Sequence, residues 1–383
     1  MRLAVVQHVI RENDGQGRVN LEVIRAALAR GWKVLLFAAE LKTDFADHPN
    51  LTWIRIDYGK LPTYMLRYQV FAWRSLQAIR KHRGEFDILH ANGFITWASA
   101  DVNAVHFVHR GWYRSGFYPF SPFGGLRSAY QYFYTRLNMC LERVALKRAR
   151  TIIAVSKRVG DELKQAGIEG DTDVIFNGAS VDAFTDVPRN RAQFKLPEDK
   201  FLLLFVGDIR NSRKNLDTVL RAMAKLPPEI ELAVGGEARG SAHPKMAQDL
   251  GIADRVHFLG HVTATPQLMA SCDAFVFPSR YDPWALVIPE AMAAGLPVIA
   301  SARAGASELL GNAGVVLQDP DDVDGMVRAV KTIQGDSSLR ATMRTRGREA
   351  VKRNSWQAMA DRYLAVYERT LAEKQRGEPQ AAR

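Results

Sequence analysis

A chain of 383 residues with 47% hydrophobic and 24% charged residues is too long for one ordinary core and too apolar to be disordered. Its two cysteines, Cys140 and Cys272, provide no disulfide framework and no Cys/His metal spacing. The net charge of +11, from 52 basic against 41 acidic residues, favours anionic partners: phosphate ligands, nucleic acid or an anionic membrane surface.

Strands and helices alternate from the first residues. Leu3–Val9 reads as a buried strand, and Gln7 and His8 interrupt its apolar run. No long signal-peptide core or bilayer-spanning stretch is present, so a reducing, cytoplasmic setting is expected. A polar loop, residues 11–18, leads to a helix over Asn20–Arg30, with Leu21, Ile24 and Leu28 on one face. Strands follow at Lys33–Ala38, Leu51–Ile56, Ile88–Ala91 and Ala104–Val108, with an amphipathic region over Tyr64–Arg83. A helix over Tyr130–Arg148 precedes a strand at Thr151–Val155. Ser156 then caps a further helix, and Val174–Phe176 is the last strand of this half.

Between Phe107 and Arg150 there are eight Lys/Arg against one acid, Glu142, interleaved with aromatics such as Trp112, Tyr118 and Phe133. Such a mixture fits an anionic membrane interface, aromatic stacking on nucleic acid, or plain core. The membrane reading is preferred, and no nucleic acid is expected.

Asp186–Lys200 is polar, holds two prolines and lacks an apolar period, so it reads as an interdomain linker. The βα alternation then restarts at Phe201–Val206 and runs to a final amphipathic helix, Trp356–Leu371, with a frayed tail. The expected division is 1–187, 188–355, and a tail 356–383 that returns to the first domain. Repeated βα units imply parallel sheets covered on both faces, with ligands at the carboxyl ends of the strands.

The densest chemistry lies at Asp282–Ile299. Asp282 sits in a loop, and Glu290, eight positions on, lies in the first turns of a helix closed by Gly295-Leu-Pro297. A helix N-terminus attracts anions, and adjacent carboxylates accept hydrogen bonds from hydroxyls. A phosphorylated, hydroxyl-rich ligand is the expected occupant. Taken singly, each of these acids also has a bland reading, as a turn-forming Asp before Pro283 or as a helix-dipole Glu.

These residues resemble the E-x7-E motif of the family-4 retaining glycosyltransferases, which have the GT-B fold. Phe205-Val-Gly207, Arg213-Lys214-Asn215, Asn177-Gly178, Phe277-Pro-Ser279 and Gly305-Ala-Ser-Glu308 resemble further family motifs in the family's order. The resemblance implies an α/β fold of two Rossmann-like doubly wound domains facing across a cleft, with the C-terminal helix crossing back. It also implies retaining transfer of a hexosyl group from a nucleotide diphosphate sugar, UDP favoured, to a saccharide or lipid-linked acceptor in cell-envelope (lipopolysaccharide or polysaccharide) synthesis. No cofactor or metal is expected, and the protein is placed on the cytoplasmic side, in peripheral contact with the membrane through 107–150.

The resemblance also assigns roles. Arg213 and Lys214 face the leaving diphosphate, Glu290 binds the ribose hydroxyls, and Asp282 binds the donor sugar. The backbone of Trp284, Ala285, Leu286 and Val287 meets phosphate and sugar oxygens, and His261-Val262 read the base edge. Gly207, Gly235 and Gly17 allow close backbone approach to the donor. His109, with His106 close behind, stands near the transferred sugar. Asp282 departs from the family's usual Glu; it is one methylene shorter, about 1.5 Å. Asp208 stands where the family often has Arg, leaving Arg210 or Arg213 to supply that charge. The rival readings are a nucleotide-sugar epimerase or hydrolase on the same fold, and a non-catalytic nucleotide-sugar-binding module.

Overall fold

A computed structural model describes residues 1–12, 15–168, 170 and 172–377. The chain forms two compact units, Met1–Gly178 with Trp356–Arg383, and Ala179–Ser355.

The first unit runs β1 (Arg2–Ile10), α1 (Gly15–Ala29), β2 (Lys33–Leu41), β3 (Leu51–Arg55), α2 (Tyr64–Lys81), β4 (Ile88–Asn92) and β5 (Val102–Val105). It continues with α3 (His109–Tyr113), α4 (Leu126–Lys147), β6 (Thr151–Ala154), α5 (Lys157–Gln165) and β7 (Thr172–Val174). The second unit holds α6 (Val181–Phe184), β8 (Phe201–Val206), α7 (Leu216–Met223), β9 (Ile230–Gly235), α8 (His243–Asp249), β10 (Val256–Phe258) and α9 (Thr265–Ala270). It ends with β11 (Ala274–Phe277), α10 (Val287–Ala294), β12 (Val298–Ser301), β13 (Gly314–Leu317), α11 (Val323–Gly335) and α12 (Ser337–Lys352). Then α13 (Trp356–Gln375) returns to the first unit.

Among the described residues the first sheet has seven parallel strands in the order β3-β2-β1-β4-β5-β6-β7, and the second has six in the order β10-β9-β8-β11-β12-β13. Both are doubly wound, as expected. The chain order reverses between β1 and β4 in one sheet and between β8 and β11 in the other. Crevices for ligands open at such reversals, outside the carboxyl ends of the strands.

Side chains of β1 alternate between two buried faces, as a covered parallel strand requires. Leu3 and Val5 join a core with Val19, Val23 and Ile24 of α1 and Tyr363, Leu364 and Tyr367 of α13. Ala4 and Val6 join the opposite core with Phe71 and Ile79 of α2. The returning helix is also tied by polar contacts. Buried His90 places Nε2 3.1 Å from Asn20 Oδ1 and Nδ1 3.1 Å from the Tyr367 hydroxyl. Lys374 reaches Asp101 at 2.9 Å.

Several expectations change. Helix α1 begins at Gly15, so Gly15-Gln-Gly17 is its first turn and not a loop; residues 13 and 14 of the expected loop lie outside the described residues. Strand β5 ends at Val105, not Val108. Asn103 bonds Gly93 through both its side-chain oxygen (2.7 Å) and nitrogen (3.0 Å), fixing the strand earlier and releasing His106 into the following turn. Helix α13 continues to Gln375, and the tail beyond residue 377 lies outside the described residues.

Asp186–Lys200 is no linker. The chain passes between units at Gly178–Ala179 and Ser355–Trp356, and the polar segment is packed within the second unit. Its anchor is Arg191, only 1% exposed. The guanidinium donates to the carbonyls of Ser271 (3.0 Å), Pro197 (2.6 Å), Glu198 (3.0 Å) and Lys200 (2.9 Å), and to Asp273 Oδ2 (2.6 Å).

Candidate active site

In the second unit the loops after β8 and β11 meet at the strand-order reversal. After β8 the chain turns through Gly207, whose N–H donates to the Gly235 carbonyl at 2.9 Å. A Cβ on Gly236 would collide with the Gly207 carbonyl oxygen, so these backbones close on each other because the position is glycine. The Gly235-Gly236 pair carried this signal, but only Gly235 was singled out from the sequence.

Arg213 and Lys214 occupy a single 3-10 turn, Ser212–Lys214, held by hydrogen bonds to the chain just after β11. Buried Asn215, at φ 64°, donates from Nδ2 to the carbonyls of Pro278 (2.9 Å) and Pro320 (2.7 Å). The hydroxyl of Ser279 donates to the Arg213 carbonyl at 2.9 Å, and the Arg280 N–H donates to the same oxygen at 2.8 Å. The Arg280 guanidinium binds Asp217 (2.7 Å) and Asp321 (2.9 Å). Sequence motifs named Asn215 and Ser279 but not this clamping role, which depends on partners over sixty residues away.

The clamp brings Lys214 Nζ to 2.5 Å from Asp282 Oδ2 and to 5.3 Å from the centre of the Phe277 ring. The sequence placed this lysine and this acid against different parts of a ligand; the structure makes them an ion pair. Asp282 is buried, 8% exposed. Burial raises its carboxyl, but Lys214 and Arg213 more than offset this and hold it below its ordinary value. Its backbone is locked as well: N–H to Arg303 carbonyl (3.0 Å), and carbonyl from the Gly305 N–H (2.8 Å). Arg210, the alternative cation, pairs instead with Asp208 at 3.1 Å on the exposed surface.

From Asp282 the chain enters α10 through Trp284, Ala285 and Leu286. The Trp284 N–H donates to Asp282 Oδ1 at 3.3 Å. Ala285 adopts φ 68°, the left-handed region that costs a residue with a Cβ roughly 1–2 kcal/mol. This conformation turns the chain sharply enough for α10 to start at Val287, with no side chain capping its N-terminus. Ala285→Gly is therefore expected to raise the melting temperature by a few degrees and Ala285→Val to lower it, measured by scanning calorimetry.

Glu290 lies on the first turns of α10, half-buried, and burial pushes its carboxyl up to about 7. His261 and Val262 follow β10 at the same sheet edge, beyond Gly260, whose carbonyl accepts from the Gly236 N–H at 2.8 Å.

The first unit has its own pocket, of about 190 Å³, at the β1–β4 reversal. His106 and His109 both line it, with His8 from the end of β1 and Asn92 from the end of β4. Gln16, next to Gly17 in the first turn of α1, lines it too. Buried Glu142 of α4 accepts the His109 N–H at 3.1 Å, and its other oxygen lies 3.6 Å from His109 Nδ1. The sequence shows His8 only as an interruption of an apolar run; near the carboxyl end of a central parallel strand it lines the pocket.

Comparison with known proteins agrees with this architecture. Residues 13–183 match the family described as Glycosyltransferase Family 4, and residues 186–350 match Glycosyl transferases group 1. The lipopolysaccharide core biosynthesis glycosyltransferase LpsE of Rhizobium meliloti (strain 1021) is 34% identical over 181 residues, 46% of this chain and 52% of that protein. A D-inositol 3-phosphate glycosyltransferase of Mycobacterium marinum is 30% identical over 355 residues, 83% of this chain and 70% of that protein. Against the two Rhizobium lipopolysaccharide-core relatives the match spans only 52% and 65% of their length. Two solved structures share the fold. Sucrose-phosphate synthase from Thermosynechococcus elongatus has a TM-score of 0.78 at 22% identity, covering 97% of this chain and 99% of that one. The Anabaena protein HepE in complex with UDP and glucose has a TM-score of 0.71 at 21% identity, covering 96% and 99%.

Proposed function

Because the chain belongs to the family-4 glycosyltransferases, with their GT-B fold, we propose that it is a retaining hexosyltransferase. It takes its sugar from a nucleotide diphosphate sugar, UDP favoured, and delivers it to a hydroxyl of a saccharide or lipid-linked acceptor of the cell envelope. The observation that carries this reading is the Lys214–Asp282 pair at the β8–β11 reversal, with Arg213 on the same turn and α10 opening beside it.

In this reading Glu290 accepts the ribose hydroxyls, and the backbone at His261-Val262 meets the base. Arg213, Lys214 and the start of α10 face the diphosphate, and Asp282 meets the sugar hydroxyls. The bond from the anomeric carbon to the diphosphate oxygen breaks while the acceptor oxygen bonds that carbon from the same face. The acceptor proton passes to the departing phosphate oxygen. Negative charge grows on the diphosphate during this step, and fixed cations at that point lower the barrier most. Two cationic side chains meet that charge, so the reaction is proposed to proceed without a metal.

The name of one relative carries a phosphorylated acceptor, and that of another the lipopolysaccharide core. The second suits this chain better, since α4 presents Leu126, Phe133, Leu137 and Val144 to solvent among Arg127, Arg136 and Lys147. Apolar side chains mixed with cations suit an anionic bilayer. Among the described residues no helix is long and apolar enough to cross a membrane. Sedimentation with phosphatidylglycerol vesicles at low salt tests this contact; absence of binding at every salt concentration refutes it.

A thermal-shift panel of UDP-glucose, UDP-galactose, GDP-mannose and ADP-glucose tests the donor. The true donor raises the melting temperature by mass action, and a panel without effect refutes the reading. Product analysis separates transfer from hydrolysis or epimerisation: a transferase releases UDP faster when its acceptor is added.

Glu290 adds a pH signature. Two ribose hydroxyls donate best to the ionised carboxylate, whose proton is held up to about 7 in the free protein. Binding therefore expels a proton, and UDP-glucose affinity rises with pH to a plateau above that value. At pH 6 the dissociation constant is expected to be about tenfold weaker than at the plateau, and Glu290→Gln should flatten the profile in calorimetric titrations.

A further inference from the structure

We propose that the pocket of the first unit admits its acceptor as an uncharged saccharide and rejects a phosphorylated one. The inference rests on the transferase reading for the word acceptor, but its observations lie wholly in the first unit. Phosphate recognition is built from arginine forks, lysines or vacant helix N-termini. The described lining of this pocket holds no lysine or arginine, and its one carboxylate is Glu142.

That carboxylate stands where an anion would otherwise dock. It accepts the N–H of His109, the first residue of α3, so the start of that helix already has its negative partner. A phosphate would have to displace Glu142 or sit against it. Burial pushes His8 down to about 4 and His106 down to about 3, so neither of these two adds charge at neutral pH. Nε2 of His8 and Nε2 of His106 are nevertheless buried without a hydrogen-bond partner, so both rings lining the pocket keep unmet hydrogen-bonding capacity. The other positive feature nearby is the first turn of α1, where Gln16 lines the pocket and where the family resemblance sets Gly17 against the donor.

Aromatic rings supply the rest of a saccharide site. His8 packs 4.6 Å from Tyr68, and Tyr134 stacks on Tyr130 at 6.1 Å. Tyr68 and Tyr134 line the pocket with Phe94, offering ring surface to the C–H faces of a sugar and polar edges to its hydroxyls.

The test is a titration of the UDP-saturated full chain, followed through the imidazole proton resonances, with maltose, lactose and glucose 6-phosphate as probes. At least one disaccharide is expected to shift the resonances that His106→Gln and His109→Gln remove, with a dissociation constant at least tenfold below that of glucose 6-phosphate. Asn138→Lys, which puts a cation on the α4 wall, is expected to strengthen glucose 6-phosphate binding at least tenfold. Glucose 6-phosphate binding the unmodified pocket as tightly as the disaccharides, or no disaccharide binding there, overturns the proposal. Donor binding is read separately, by adding UDP-glucose to the sugar-free protein. If that fails while a disaccharide binds, the transferase reading falls and the saccharide pocket stands.

Discussion

Lys214→Ala is expected to lower kcat/KM for transfer by about 10²–10³-fold, because under the proposed function it deletes a cation that faces the charge growing on the leaving diphosphate. The same change removes the partner 2.5 Å from a buried carboxylate. Stranding Asp282 costs about 3 kcal/mol, the lower end of the range for a broken buried pair, since Arg213 still lowers that carboxyl. The two effects separate in a double variant. Asp282→Asn added to Lys214→Ala should recover most of the melting temperature and none of the turnover. Near-normal kcat/KM in the single variant would sink the role assigned to Lys214. The ion pair also bears on the shortened acid at 282. Asp reaches Lys214 from a loop locked to Arg303 and Gly305, so its length suits this lysine, and Asp282→Glu would push the carboxylate into a fixed neighbour.

Arg191→Ala is expected to cost about 3–5 kcal/mol and to lower the melting transition of the second unit by roughly 10 °C. One guanidinium there serves four carbonyls and a carboxylate, and alanine leaves them facing a cavity. Arg191→Lys should recover only part of the loss, since an ammonium cannot span the fork. Calorimetry gives the loss. The folded fraction should bind UDP-glucose with unchanged affinity, because Arg191 sits at the opposite end of β8 and β11 from the site.

Arg191 also marks where the sequence stopped being legible. Its segment is polar, holds two prolines and shows no apolar period, which is the composition of a linker. What packs it is a single charged side chain satisfied by backbone oxygens, and no one-dimensional pattern encodes that. The buried strand β8 was readable to the residue, because a continuous apolar run closed by Gly207 fixes its own end. Strand β5 was read about two residues late, since Asn103 looks like a strand-breaker and is instead a buried staple to Gly93. At the site, the residues that touch a ligand in the proposed reading were visible as motifs. The groups that aim them, Arg280 with Asp217 and Asp321, were not, because their partnership exists only once the loops have met.

The return of α13 to the first unit has a consequence for biogenesis. The second unit is an insertion within the first, so a ribosome must finish all of Ala179–Ser355 before the helix that completes the first core emerges. At roughly 5–20 residues per second, that interval lasts on the order of ten seconds or more. Throughout it, Val19 and Val23 of α1 and Leu3 and Val5 of β1 lack the Tyr363 and Tyr367 side that closes over them. The nascent first unit is then an adhesive surface while its younger neighbour can already be native. A stop codon at Trp356 would leave the second unit whole and the first permanently open, and such products belong to chaperones and proteases.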